Sequence, residues 1–184
     1  LDALTGRMIW RYNNLKTHDI TTGTGIGRYA GNVTLNVVHN HTNNKYQLED
    51  RTMPGPRIFT HNCAGNWPDP LCEISEDDDD DWSAPEQSAE VDCHFYTRVV
   101  FDYFLAMHGR NSYDNAGADM HICAHVRSNW NQAAWDGSQV LIGDGDGTTR
   151  NAFCTLDIIA HEWTHAVIDY MANLYGGYEP GAIN

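Results

Sequence analysis

The period of apolar and polar positions changes several times along the chain. Val33-Thr34-Leu35-Asn36-Val37-Val38 and Lys45-Tyr46-Gln47-Leu48-Glu49 read as strands, joined by a polar Asn/His/Thr turn. Met8 to Tyr12 reads as a short strand after a turn at Leu4-Thr5-Gly6, within an extended arm over residues 1–20. Thr21 to Gly27 is small and glycine-rich, either a linker or a tight strand entry. Residues 51–75 hold most of the prolines and no period, which predicts loop. From Ala89 to Met107 the pattern turns helical: Phe95, Val99, Tyr103 and Met107 recur every four residues, Tyr96, Val100 and Phe104 widen the stripe, and Gly109 closes it. Met120, Ile122, Ala124 and Val126 alternate with His121, Cys123, His125 and Arg127, which predicts a half-buried strand. Val140-Leu141-Ile142 predicts another strand, running into the turn Gly143-Asp144-Gly145-Asp146-Gly147. A second amphipathic helix runs from about Thr155, a plausible N-cap, to Ala172, with Asp157 in its first turn. The whole predicts an α+β fold.

At 184 residues the chain is one domain, with residues 1–20 as an arm and 21–184 as the folded unit. The formal charge of −14 argues against nucleic acid and anionic membrane surfaces as partners. Hydrophobic residues at 41% are enough for a core. No apolar run approaches the ~18 residues of a membrane-spanning helix. Residue 1 opens on no signal-peptide pattern, which implies a removed leader or numbering that starts inside a precursor. Sparse lysine and abundant Asp, Asn, Gly and aromatics fit a secreted protein. With five cysteines, at most two disulfides can close within the chain, and Cys63 with Cys72, flanking Gly-Asn-Trp-Pro-Asp-Pro, is the pair expected to staple a loop. Asn32-Val-Thr34 and Asn40-His-Thr42 are glycan sequons.

Three features bear on metal chemistry. The acidic run from Glu76 to Asp81 is either a solvated loop or a calcium site, since adjacent carboxylates repel unless a hard cation lies between them. His121 and His125 are either a solvated strand face or a two-histidine metal pair. The Asp144 turn is not an EF-hand loop, because its twelfth position is Thr155 rather than Glu. The strongest signal is His161-Glu162-Trp163-Thr164-His165 in mid-helix. The i, i+4 spacing puts both imidazoles on one helix face within reach of one zinc ion, and Glu162 beside it can take a proton from water. The alternative is a core helix with two satisfied histidines.

Asn131 to Gly137, Gly143 to Gly147, His161 to Tyr170 and Gly181-Ala182-Ile183-Asn184 occur in that order. Together they resemble the thermolysin-like family of secreted zinc metalloendopeptidases, over about Thr22 to Asn184 and most strongly from Glu90 onward. The resemblance implies His161 and His165 as zinc ligands, Glu162 as general base, and the Ala133 carbonyl and Gln132 as substrate-backbone contacts. Gln132 stands where the family usually has Asn, and Ala134 where many members carry an aromatic. Asn184 would orient a zinc-bound imidazole. Asp157 aligns with a carboxylate of a calcium site beside the zinc helix, and Asp77, Asp79 and Asp81 with a calcium loop. Residues 1–16 look like the last strand of the family's propeptide, with processing near residues 17–24. The family's third zinc ligand, a Glu following Gly-Ala-Ile-Asn, would fall at position 185, and the groups that stabilise the tetrahedral intermediate come from a C-terminal helical domain. The expectation is therefore an endopeptidase half, secreted and extracellular, using zinc and calcium, acting on peptides, and inactive alone. It would also tend to self-associate through its exposed helix face. The alternative is a non-catalytic assembly domain of the same fold.

Overall fold

The computed structural model describes residue 5, residues 17–68, 72–147, 149 and 151–172. The expected strand at Met8 to Tyr12 and the segment ending in Asn184 lie outside these residues. Two sheets and two long helices make an α+β molecule.

The first sheet is built on a long ribbon, β1 (His18–Gly27) against β2 (Gly31–Asn40), antiparallel and in register over both full strands. The glycine-rich Thr21 to Gly27 is thus strand and not linker. Its glycines serve close approach: a Cβ on Gly23 would lie 2.6 Å from the Asp80 carbonyl oxygen, against the neighbouring strand. β3 (Lys45–Gln47) pairs with β2, β7 (Glu76–Asp77) with β3, and β8 (Asp81–Trp82) runs parallel to β1. The second sheet has the order β10-β11-β9-β5-β4, from Ala133–Trp135, Val140–Ile142, Met120–Ala124, Ile58–Asn62 and Glu49–Asp50. β6 (Glu73–Ile74) adds to β5.

Two sequence expectations are corrected here. Residues 51–75 are not all loop: β5 lies inside the second sheet, parallel to β9 with Ile58 opposite Met120. Its pattern, Ile-Phe-Thr-His-Asn, hides it because its polar members are bonded; Thr60 Oγ1 meets His94 Nδ1 at 2.9 Å and Asn62 donates to Glu90 at 2.9 Å. β9 in turn is not half-buried. It lies between two parallel neighbours, its Met120, Ile122 and Ala124 face the core under the helices, and Cys123 on the other face is buried too.

α1 (Ser88–His108) ends on Gly109, whose φ of 61° takes the left-handed C-cap. It lies across both sheets. Val91 joins Leu35, Val37, Leu48 and Trp82 under the first sheet, while Ala89, Cys93, Val100 and Phe101 join the core of the second. The predicted stripe is displaced: Tyr103 and Met107 are 55% and 67% exposed, and Glu90, Asp92, His94 and Thr97 are buried instead. These polar residues are bolts. His94 Nε2 reaches the Asn36 carbonyl of β2 at 2.8 Å while its other nitrogen meets Thr60 of β5, so one imidazole ties α1 to both sheets. Asp92 accepts from the Tyr29 and Ala30 amides at 2.9 Å, fixing the β1–β2 turn. α2 (Leu156–Ala172) packs on α1 and β10, with Ile159, Trp163, Ala166 and Val167 buried, and Trp163 Nε1 donates to Thr97 at 3.2 Å.

Cys63 and Cys72 form the expected disulfide. Cys93, Cys123 and Cys154 are buried free thiols, so none is presented at the surface to a partner.

Candidate active site

The site lies where α2 runs beside β10, the edge strand of the second sheet. One helical turn separates His161 and His165, and their Nε2 atoms stand 2.8 Å apart with rings at right angles. His161 is exposed and His165 half-buried, so both nitrogens converge on a point at the surface. Tetrahedral zinc holds its nitrogen donors at ~2.0–2.1 Å from the metal, a spacing that two converging imidazoles on one helix face meet with a small outward swing. The donor pair thus fits that metal.

Glu162 lies beside the pair and lines the recesses that flank them, yet is only 7% exposed. Its Oε2 accepts from the Trp135 backbone amide at 2.9 Å. That bond clamps β10 to α2 and fixes one carboxylate oxygen, leaving Oε1 for other chemistry. The Trp135 indole donates to Asp169 at 3.1 Å, and its ring sits among Tyr113 and Trp163 at centroid separations of 5.2 and 5.9 Å. Neither Trp135 nor Asp169 has a role in the sequence reading. The legible signal was spacing, because 161, 165 and 169 share one helical face.

Two recesses flank the histidines. One, of about 560 Å³, is lined by Asn131, Gln132, Ala133, Phe153, Ile158 and His161 among others. The other, of about 350 Å³, lies between Ala133 to Trp135 and His161, Glu162, His165 and Asp169. Gln132 and Ala133 therefore do face the zinc-motif helix. Strand alternation puts the backbone groups of Ala133 on the same open edge as the Trp135 amide. Gly143 holds this strand from behind: its amide donates to the Gln132 carbonyl at 3.0 Å, and its carbonyl accepts from Phe153 at 3.0 Å.

The remaining sites are dispersed. Asp157 lines the first recess, exposed, and the Thr155 hydroxyl donates to it and holds its carboxyl below the usual carboxylate range. Asp77, Asp79 and Asp81 are strung along one loop. Asp77 accepts from the Asp79 amide at 3.1 Å and Asp79 from the Asp81 amide at 3.0 Å, and Gln87 donates to Asp77. Their carboxylates do not converge on one point; among the described residues the only three ligand atoms within 4.8 Å of one another are the sulfurs of Cys63, Cys72 and Cys123. His121 and His125 form neither a pair nor a solvated face. His121 Nδ1 meets His61 Nε2 at 3.0 Å and stacks on Phe59, whereas His125, past the strand end at φ 55°, lies between Asp144 and Glu90. Asn184 is outside the described residues.

The model of the thermolysin metallopeptidase catalytic domain matches residues 22–169. A bacillolysin of Bacillus amyloliquefaciens is 36% identical over 189 aligned positions, and a thermostable neutral protease of Geobacillus stearothermophilus 34% over 195. Each alignment takes in the whole of this chain but only 35% of the relative, so the chain spans about a third of their length. Among solved structures, the precursor of protealysin, a metalloproteinase from Serratia proteamaculans, superposes with a TM-score of 0.61 at 25% identity, covering 72% of this chain and 41% of that one. The fold, the match over residues 22–169 and these relatives agree: the chain belongs to the thermolysin family of metallopeptidases.

Proposed function

We propose that the chain carries the metal-binding helix and the substrate-holding edge of a secreted zinc endopeptidase. The observation that carries this reading is the convergence of the His161 and His165 Nε2 atoms beside a Glu162 whose carboxylate is held by the Trp135 amide. His161 and His165 would hold zinc, with a third ligand and the groups that stabilise the tetrahedral intermediate supplied from outside the described residues. Zinc, when bound, lowers the pKa of water and polarises a carbonyl. Glu162 Oε1 accepts the proton of the attacking water and returns it to the leaving amine. The open edge of β10 binds the peptide as an added strand, with the Ala133 carbonyl and the Gln132 side chain as its partners. Calcium would gather the Asp77, Asp79 and Asp81 carboxylates and, with further ligands, engage Asp157. The Cys63–Cys72 bridge supports an oxidising, extracellular setting.

The test is Glu162→Gln in the protein that carries this chain, assayed on an internally quenched peptide with zinc content measured in parallel. We expect kcat/KM to fall by about 10²–10⁴-fold with zinc retained, and His161→Ala to lose the zinc. Near-normal turnover by Glu162→Gln overturns the assignment. A second reading, a non-catalytic assembly domain, rests on the exposed Leu156, Tyr170 and Met171 of α2. Concentration-dependent association without zinc or proteolysis would favour it.

A further inference from the structure

On the face of the second sheet opposite the helices, a third sulfur lies beside the disulfide. The sulfurs of Cys63, Cys72 and Cys123 are all within 4.8 Å of one another. The strand register explains the approach. His61 stands opposite Cys123 across the parallel β5–β9 pair, and the Cys63 amide donates to the Ala124 carbonyl at 3.0 Å. Alternation then turns Cys63 to the same face as His61 and Cys123. Val126, Leu141 and Trp130 close over the three. The remaining thiols, Cys93 and Cys154, belong to the other core, on the helix side.

We propose that these three cysteines form one sulfur-exchange centre, in which Cys123 is an alternative partner for Cys72. The thiol of Cys123 loses its proton and its sulfur attacks Cys72 Sγ. The Cys63–Cys72 bond breaks, and Cys63 leaves as a thiolate that takes up a proton. One disulfide forms as one breaks, so no outside oxidant is consumed. Burial, with the Asp136 carboxylate adding to it, pushes the Cys123 thiol up to about 12, so the attacking thiolate is scarce at neutral pH and the exchange is slow in the intact fold. His61 and His121 share this face. The centre also touches the candidate site. The Cys123 thiol donates to Gln139 Oε1 at 3.1 Å, and Gln139 Nε2 donates to Asp136 at 3.0 Å in the β10–β11 hairpin. Exchange moves that sulfur off the hairpin whose first strand, β10, holds Glu162 through the Trp135 amide.

The decisive experiment uses Cys63→Ser with oxidised glutathione as the disulfide donor, under native conditions, followed by acid quench, alkylation and peptide mapping. We expect glutathione to be displaced and a Cys72–Cys123 bridge to form. A Cys72–glutathione adduct that persists, with Cys123 alkylated only after unfolding, overturns the proposal. Where Cys63→Ser does not fold, the unmodified chain decides. Cys63 should become alkylatable in the native state at a rate rising about tenfold per pH unit below the thiol pKa. A free thiol confined to Cys123 across that range, beside the two in the helix-side core, overturns it.

Discussion

His125 carries a carboxylate on each side of its ring, Asp144 at 2.8 Å and the buried Glu90 at 3.5 Å. Desolvation pulls its pKa down, but the hydrogen bonds and charges of the two carboxylates win and hold it up at about 10. The folded pKa lies above the ordinary value of 6.5, so the imidazolium stabilises the fold fully below 6.5, and that contribution is lost as pH rises through about 10. His125→Asn tolerates the left-handed backbone and removes the charge. We expect it to lower the denaturation midpoint at pH 6 and to converge on the parent near pH 10.5, in urea titrations at both values. His61 has the opposite sign. Burial first, then His121, push its pKa down to about 4, so the neutral ring's contribution is present above 6.5 and lost as pH falls through about 4. His61→Gln should flatten the acid arm between pH 6.5 and 4, read as thermal midpoint against pH.

At the scale of elements, Gly143 joins the strand β11 to the floor of the site. A Cβ there would stand 2.1 Å from the Trp130 carbonyl oxygen and 2.9 Å from that of Gln132. Both obstacles are backbone, so Gly143→Ala must displace residues 130–132, of which Asn131 and Gln132 line the first recess. We expect a loss of stability of about 1–3 kcal/mol in chemical denaturation, and a raised KM for peptide in the full protein. The α+β class, α1 and its glycine cap, α2, and β2 with its polar turn to β3 are legible in the sequence, because each follows a local period or a local cap, whereas the glycine-rich half of β1 leaves linker and strand entry both open. The face α1 buries was not, since Glu90, Asp92, His94 and Thr97 are held inside by hydrogen bonds that hydropathy does not register. β5 was hidden for the same reason. At the site, the pair His161 and His165 follows from helical spacing alone, while the bond from the Trp135 amide to Glu162 joins residues far apart in sequence and follows from no spacing.

Across the whole molecule, 25 acidic residues against 11 basic ones make the compact state repel itself, most of all where Asp77 to Asp81 crowd one loop. We expect calcium to raise the thermal midpoint more than sodium chloride at equal ionic strength, and a chelator to reverse the gain. Equal shifts from both salts would show simple screening. The two sheets also differ in how far the chain must travel to close them. The β1–β2 ribbon joins Gly27 to Gly31, whereas β5 meets β9 only when Ile58 finds Met120. Loop-closure entropy makes the second search slower. Pulse-labelled hydrogen exchange during refolding should therefore protect the ribbon amides first, then the Trp135 amide, whose bond to Glu162 spans 27 residues, and those of β9 last. The clamp between Trp135 and Glu162 is then set within one local stretch of chain, and the candidate site takes its shape before β5 closes the sheet beside it.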